Sequence, residues 1–96
     1  MDNIKKLISY SSKGITSKVI SKDGVNVTLF CMAKGTELSE HTSTKKALVH
    51  VIDGKGIFFI GKKKIPMTPG VLIQMDKKTV HALKATSNMS FLLFLF

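Results

Sequence analysis

From Ile15 onward, apolar residues come in short runs broken by turn-forming residues, a spacing that predicts strands. Ile15 to Ile20 is the first run, and Lys22-Asp23-Gly24 turns the chain into a longer one, Val25 to Ala33. Lys34 to Ser43 reads as a polar loop. Ala47 to Ile52 leads into the tight-turn sequence Asp53-Gly54-Lys55-Gly56, and Ile57 to Ile60 returns. Further turns at Gly61-Lys62-Lys63-Lys64, Pro69-Gly70, Asp76 to Thr79 and Thr86-Ser87-Asn88 separate Val71 to Met75, Val80 to Ala85 and Phe91 to Phe96. Ahead of Gly14, Ile4, Leu7 and Ile8 fall at helical spacing behind Asp2 and Asn3, which predicts a short helix within Asp2 to Tyr10. The chain therefore reads as all-β, a sandwich or barrel forming one domain over residues 1–96, with residues 1–14 as an N-terminal segment.

Two strands are apolar on both sides. In Val25 to Ala33 one face carries Val25, Val27, Leu29, Cys31 and Ala33, and the other carries Phe30 and Met32. Phe91 to Phe96 has no polar residue. Such strands need cover on both faces. With Phe30 and Met32 read as the outer face, a second copy of the chain is the expected cover, and the alternative is the N-terminal segment folded across it.

Charge and composition narrow the function classes. The net charge of +9 comes entirely from fifteen lysines set against six acids, with no arginine. The forked guanidinium that reads bases and grips phosphates in pairs is absent, tryptophan is absent, and the lysines fall mostly at predicted turns. No specific nucleic-acid partner is expected; the lysines keep turns solvated and guard strand edges. The longest apolar run, Phe91 to Phe96, is far below the roughly 20 residues of a membrane-crossing helix. No membrane partner is expected, and the lone Cys31, with no signal-like apolar stretch at the start, points to the cytoplasm. Cys31 also sits among apolar neighbours, as an inert core thiol does.

Candidate chemistry is sparse. There is no phosphate-cradling glycine loop and no G-x-S-x-G elbow, and four of the six acids (Asp2, Asp23, Asp53, Asp76) fall at the N-terminus or in predicted turns. Glu37, Glu40, His41, His50 and His81 remain. Ala47, Val49 and Val51 alternate toward the barrel interior, and His50 falls on the opposite face, as a surface or interface residue would.

The segment running from Gly35 through His41 to Gly54 resembles the first motif of the cupins: a glycine, five residues, HxH, three or four residues, a glutamate, six residues and a glycine. Gly70 and His81 fit the spacing of the second motif, and Val80-His81-Ala82-Leu83-Lys84-Ala85 is similar to that of short stand-alone cupins. The resemblance implies a double-stranded β-helix, or jelly-roll, with residues 35–54 and 70–85 carrying the motifs. It also implies a divalent transition metal (iron, manganese, zinc or nickel), with His41 and His81 as ligands. The departures count as much: the second histidine of motif one is Ser43, its glutamate is Ala47, and motif two has Asp76, Lys78 and Ala85 where the family has proline, glycine and asparagine. Two of four family ligands survive, short of the three protein ligands usual in catalytic zinc or non-haem iron sites. The expectation is a small barrel binding a small molecule, or a divalent metal weakly, through His41 and His81, with Ser43, Ala47, Val49, Val51, Ile73, Met75 and Leu83 lining the pocket. A metal-free pocket, a metal-dependent enzyme of dioxygenase or isomerase type, and a structural or regulatory dimer are the alternatives.

Overall fold

A computed structural model describes residues 3–96. After a one-turn helix α1 (Ile4–Leu7), the chain runs through β1 (Ile15–Ser21), β2 (Asn26–Met32), β3 (Glu37–His41), β4 (Ala47–Asp53), β5 (Gly56–Ile60), β6 (Lys63–Met67), β7 (Leu72–Met75), β8 (His81–Ala85) and β9 (Met89–Leu95). All pairings are antiparallel, in one sheet of order β1-β2-β9-β4-β7 and another of order β3-β8-β5-β6. Strands distant in sequence thus lie side by side, β2 against β9 and β3 against β8, as a jelly-roll requires.

The inner faces meet in a core of Met32, Val49, Val51, Phe58, Met67 and Phe91, with further buried residues around them. Alternation decides which side chains enter it. On β4 the inward positions are Ala47, Val49 and Val51, while Leu48 and His50 are half-buried on the outer side.

Two runs read as non-strand are strands. Glu37–His41 lies where a polar loop was expected, and Lys63–Met67 begins inside an expected turn. Neither has strong apolar alternation. Each is an edge strand held by its ladder to one neighbour, β3 to β8 and β6 to β5, and the edge position tolerates Pro66. The helix is shorter than the apolar spacing suggests: Asn3 caps it by accepting from the Lys5 amide at 3.0 Å, and Ile8 is already extended. Asp2, expected to share that cap, lies outside the described residues.

The faces of β2 are the reverse of the expectation. Phe30 pairs with Phe91, its ring stacked at 5.1 Å, and both face the core, as does the fully buried Met32. Leu29 and Cys31 are on the outer side yet only 1% and 3% exposed. Phe30 and Met32 therefore offer nothing to a second subunit. The N-terminal segment crosses this outer face, with Ile4 and Leu7 beside Lys18 and Ile20, and Ile8 beside Ile52. Tyr10 latches the segment by donating from its hydroxyl to Asp53 Oδ2 at 3.1 Å. Burial, reinforced by the hydrogen bond to the Asp53 carboxylate and by its charge, raises the Tyr10 pKa although contact with Ser90 opposes it. No helix among the described residues is long and apolar enough to cross a membrane.

Candidate functional site

His41 ends β3 and His81 begins β8, and the two are direct cross-strand partners. Partners in an antiparallel ladder share a face, so the imidazoles meet. Their ring centroids are 4.1 Å apart in an edge-to-face arrangement. An irregularity in β3 between Leu38 and His41 matters here, because it keeps both of those residues in phase with β8 despite their odd spacing. Phe58 stacks on the far side of His81 at 5.5 Å, with the rings 10° from parallel.

Each ring is tied to the backbone two residues before it. His41 Nδ1 is 2.7 Å from the Ser39 carbonyl oxygen, and His81 Nδ1 is 2.9 Å from that of Thr79. A carbonyl only accepts, so Nδ1 carries the proton in both, and the Nε2 lone pairs are left for another partner. The rings differ in exposure: His41 is exposed, whereas His81 is 8% exposed.

Burial lowers the His81 pKa below its ordinary value, and the neighbouring His41 lowers it further, outweighing the Thr79 carbonyl that favours the charged ring. A folded-state pKa below 6.5 means that the unfolded chain binds a proton that the folded chain resists. The contribution is therefore complete above pH 6.5 and is lost as pH falls from there toward the lowered folded value. The metal-free protein should show a urea midpoint that drops between pH 7.5 and 5, and His81→Gln should flatten that part of the profile. An unchanged profile in His81→Gln would show that the loss arises elsewhere.

The side chains expected to line a pocket divide into groups. Val49, Val51, Ile73 and Leu83 are at most 4% exposed and pack in the core. They fill the barrel instead of bounding a chamber, because a barrel this narrow is closed by its own side chains. Ala47 and Met75 border a cleft of about 260 Å3 at the His41 end, together with Lys46, Gln74, Asp76 and Phe96. Ser43 does not join the histidines through its hydroxyl: that oxygen accepts from the Lys45 amide at 3.1 Å, and its carbonyl accepts from the Lys78 amide at 2.8 Å. Glu40 borders a separate cleft of about 340 Å3 with Phe59, Val80 and Ala82, which also reaches His81. Glu37 is opposite Lys84 on the outer face, and His50 is opposite Leu72 and Leu92.

Two Nε2 lone pairs on adjoining rings suit a borderline divalent metal such as zinc or nickel. No cluster of three or more histidine, cysteine or carboxylate groups able to hold a metal is found among the described residues. The donor set thus fits a two-imidazole site with its other coordination positions open. It does not fit the complete set of three histidines and a carboxylate.

The sequence leaves open whether Phe58 or Phe59 faces inward near the lining, and since neither motif contains Phe58 it gives no sign of the stack on His81. The signal available was its inward phase next to Ile60. The comparisons agree with this architecture. Residues 28–96 match the family described as the cupin domain. A cupin superfamily protein from Desulfitobacterium hafniense superposes with a TM-score of 0.90 at 20% identity, covering 95% of this chain and 84% of that one. A cupin 2 conserved barrel domain protein from Leptotrichia buccalis gives a TM-score of 0.90 at 27% identity over 98% of this chain and 46% of its own. Salicylate 1,2-dioxygenase (a G106A mutant) from Pseudoaminobacter salicylatoxidans shares the fold at 13% identity and a TM-score of 0.78, over 85% of this chain and 26% of that one. No curated protein matches the sequence.

Proposed function

Because this chain belongs to the cupin domain family, we propose that it is a small binding barrel whose His41–His81 pair takes a small molecule, or a divalent metal weakly, at one end of the sandwich. The observation that carries this reading is the tautomer lock: both Nδ1 protons are committed to backbone carbonyls, which leaves the Nε2 lone pair of each adjoining ring for a ligand. A metal held by His41 and His81 would act there as a Lewis acid toward a ligand oxygen. The chain's own part is to hold the two rings. Phe58 fixes the plane of His81, and Thr79 and Ser39 fix the tautomers.

The test is titration of metal-stripped protein with nickel or zinc, followed by calorimetry. Wild type should bind one ion per chain, and His41→Ala and His81→Ala should each weaken binding about tenfold or more. Stoichiometric binding that survives both substitutions would overturn the assignment. A metal-dependent enzyme of dioxygenase or isomerase type is the alternative within the same fold. Against it, the position where the family carries glutamate is Ala47, 3% exposed and without a donor.

A second copy of the chain is the partner we propose for the outer row of β4, β9 and β7, where Leu48, Leu92 and Phe94 are half-buried and Leu72 is 62% exposed. Light scattering should return a dimer mass for wild type, and Phe94→Lys should return a monomer. A monomeric wild type at micromolar concentration would refute it. A reducing, cytoplasmic setting suits the single buried thiol of Cys31.

A further inference from the structure

Across the second sheet one row of partners runs His41–His81–Ile60–Lys63, from β3 through β8 and β5 to β6. Residues in such a row share a face. Lys63 therefore stands on the inner face, the side that carries the histidines. The alternation of β6 says the same: Ile65 packs against the core and Met67 is fully buried, so Lys63 is the inward position at the rim. Lys63 is exposed at that rim, yet unlike the turn lysines it stands in an inward phase of a strand. From His81 to Lys63 is two strand spacings, roughly 10 Å between Cα atoms. A four-carbon stem and a small ligand together bridge that gap.

The same end of the sandwich carries the loops 42–46, 61–62 and 76–80. They hold Lys45, Lys46, Lys62, Lys77 and Lys78 against Asp76, and Glu40, in the cleft that reaches His81, is a second acid at this end. The amide of Lys78 donates to the Ser43 carbonyl, which joins two of these loops above the histidines. The field over the mouth is positive and draws anions. At the other end of the row, the Nε2 atoms offer lone pairs and no proton. They repel a carboxylate and accept from a hydroxyl.

From these two halves we infer that the site takes a small hydroxy acid, with its carboxylate on the Lys63 ammonium and its hydroxyl donating to an Nε2 of the His41–His81 pair. The inference rests on the reading of that pair as a binding site. It adds the chemical class of the ligand and assigns Lys63 as a binding residue. Ile60 lies between the two polar ends and gives the carbon skeleton an apolar floor.

The probes are glycolate, lactate and 3-hydroxybutyrate, added to metal-stripped protein and followed by nuclear magnetic resonance of the histidine rings and backbone amides. Controls are propionate, which lacks the hydroxyl, and lactamide, which lacks the charge. At least one hydroxy acid should bind at millimolar concentration, and each control of lactate should bind about tenfold more weakly than lactate itself. Lys63→Met should erase the preference for lactate over lactamide, and Lys34→Met, at the opposite end, should leave it unchanged. His81→Gln should erase the preference for lactate over propionate. Failure of every hydroxy acid to bind, or equal binding of lactate and lactamide, overturns the inference. If lactate binding is lost in Lys63→Met but untouched in His41→Ala and His81→Gln, the inference falls together with the histidine-pair reading. Nickel binding that depends on both histidines, with no effect of Lys63→Met on any ligand, overturns the inference alone.

Discussion

Gly54→Ala should destabilise the barrel by about 3 kcal/mol or more, a large part of the roughly 5–15 kcal/mol that holds a small domain folded. Gly54 has φ +77°, and a Cβ there would stand 1.9 Å from the Asn88 carbonyl oxygen and 2.7 Å from the Met89 Cα. Both are backbone atoms at the start of β9, so no side-chain rotation relieves the clash. Either the β4–β5 turn opens or β9 moves off β4, and β9 is the strand that joins both halves of the larger sheet. Gly24→Ala is the matched control. It has φ +83° with nothing within 4 Å of the added carbon, so it should cost only the backbone strain, about 1 kcal/mol. Urea midpoints of the two variants separate steric conflict from backbone strain. A Gly54→Ala loss no greater than that of Gly24→Ala would show that β9 yields freely.

Phe58→Ala should cost about 3–5 kcal/mol and disturb the site as well. Phe58 is 0% exposed, lies opposite Leu83 and Ile65, and stacks on His81. Its removal leaves a cavity bounded by β5, β6 and β8 and frees the His81 ring on the side away from His41. Phe58→Leu retains most of the apolar volume and should cost about 1–2 kcal/mol while still losing the aromatic stack. The urea midpoint measures the first effect, and the line widths of the His81 ring protons measure the second. If Phe58→Leu broadens the His81 signals while costing no more than about 2 kcal/mol, Phe58 positions the ring in addition to filling space. A loss below about 1 kcal/mol for Phe58→Ala would mean that the core closes over the gap.

Much of this was legible along the chain. Glycine and proline turns cut the chain near the observed strand ends, and strict alternation in β4 marked Ala47, Val49 and Val51 as inward. The histidines were legible through the resemblance of their segments to the two cupin motifs, because a motif at the end of one strand and another at the start of a second needs no packing detail to be seen. Legibility ended where both faces of a strand are apolar. On β2, hydrophobicity cannot rank Phe30 and Met32 against Leu29 and Cys31, and the choice fell to whichever face found Phe91 and Met89 opposite. It ended again at β3 and β6, whose strand character comes from backbone pairing and not from side-chain pattern.

The sequence by itself determined the β class, the turns and the two motif histidines, because these follow from local conformational preference and from residue identity at fixed spacing. Tertiary structure alone decided three things: that His41 and His81 touch, that α1 and Tyr10 cross the outer side of β2, and that Lys63 shares a row with the histidines. Each depends on pairing between segments far apart in the chain. Strand register sets such pairings, and the burial of the whole core selects the register.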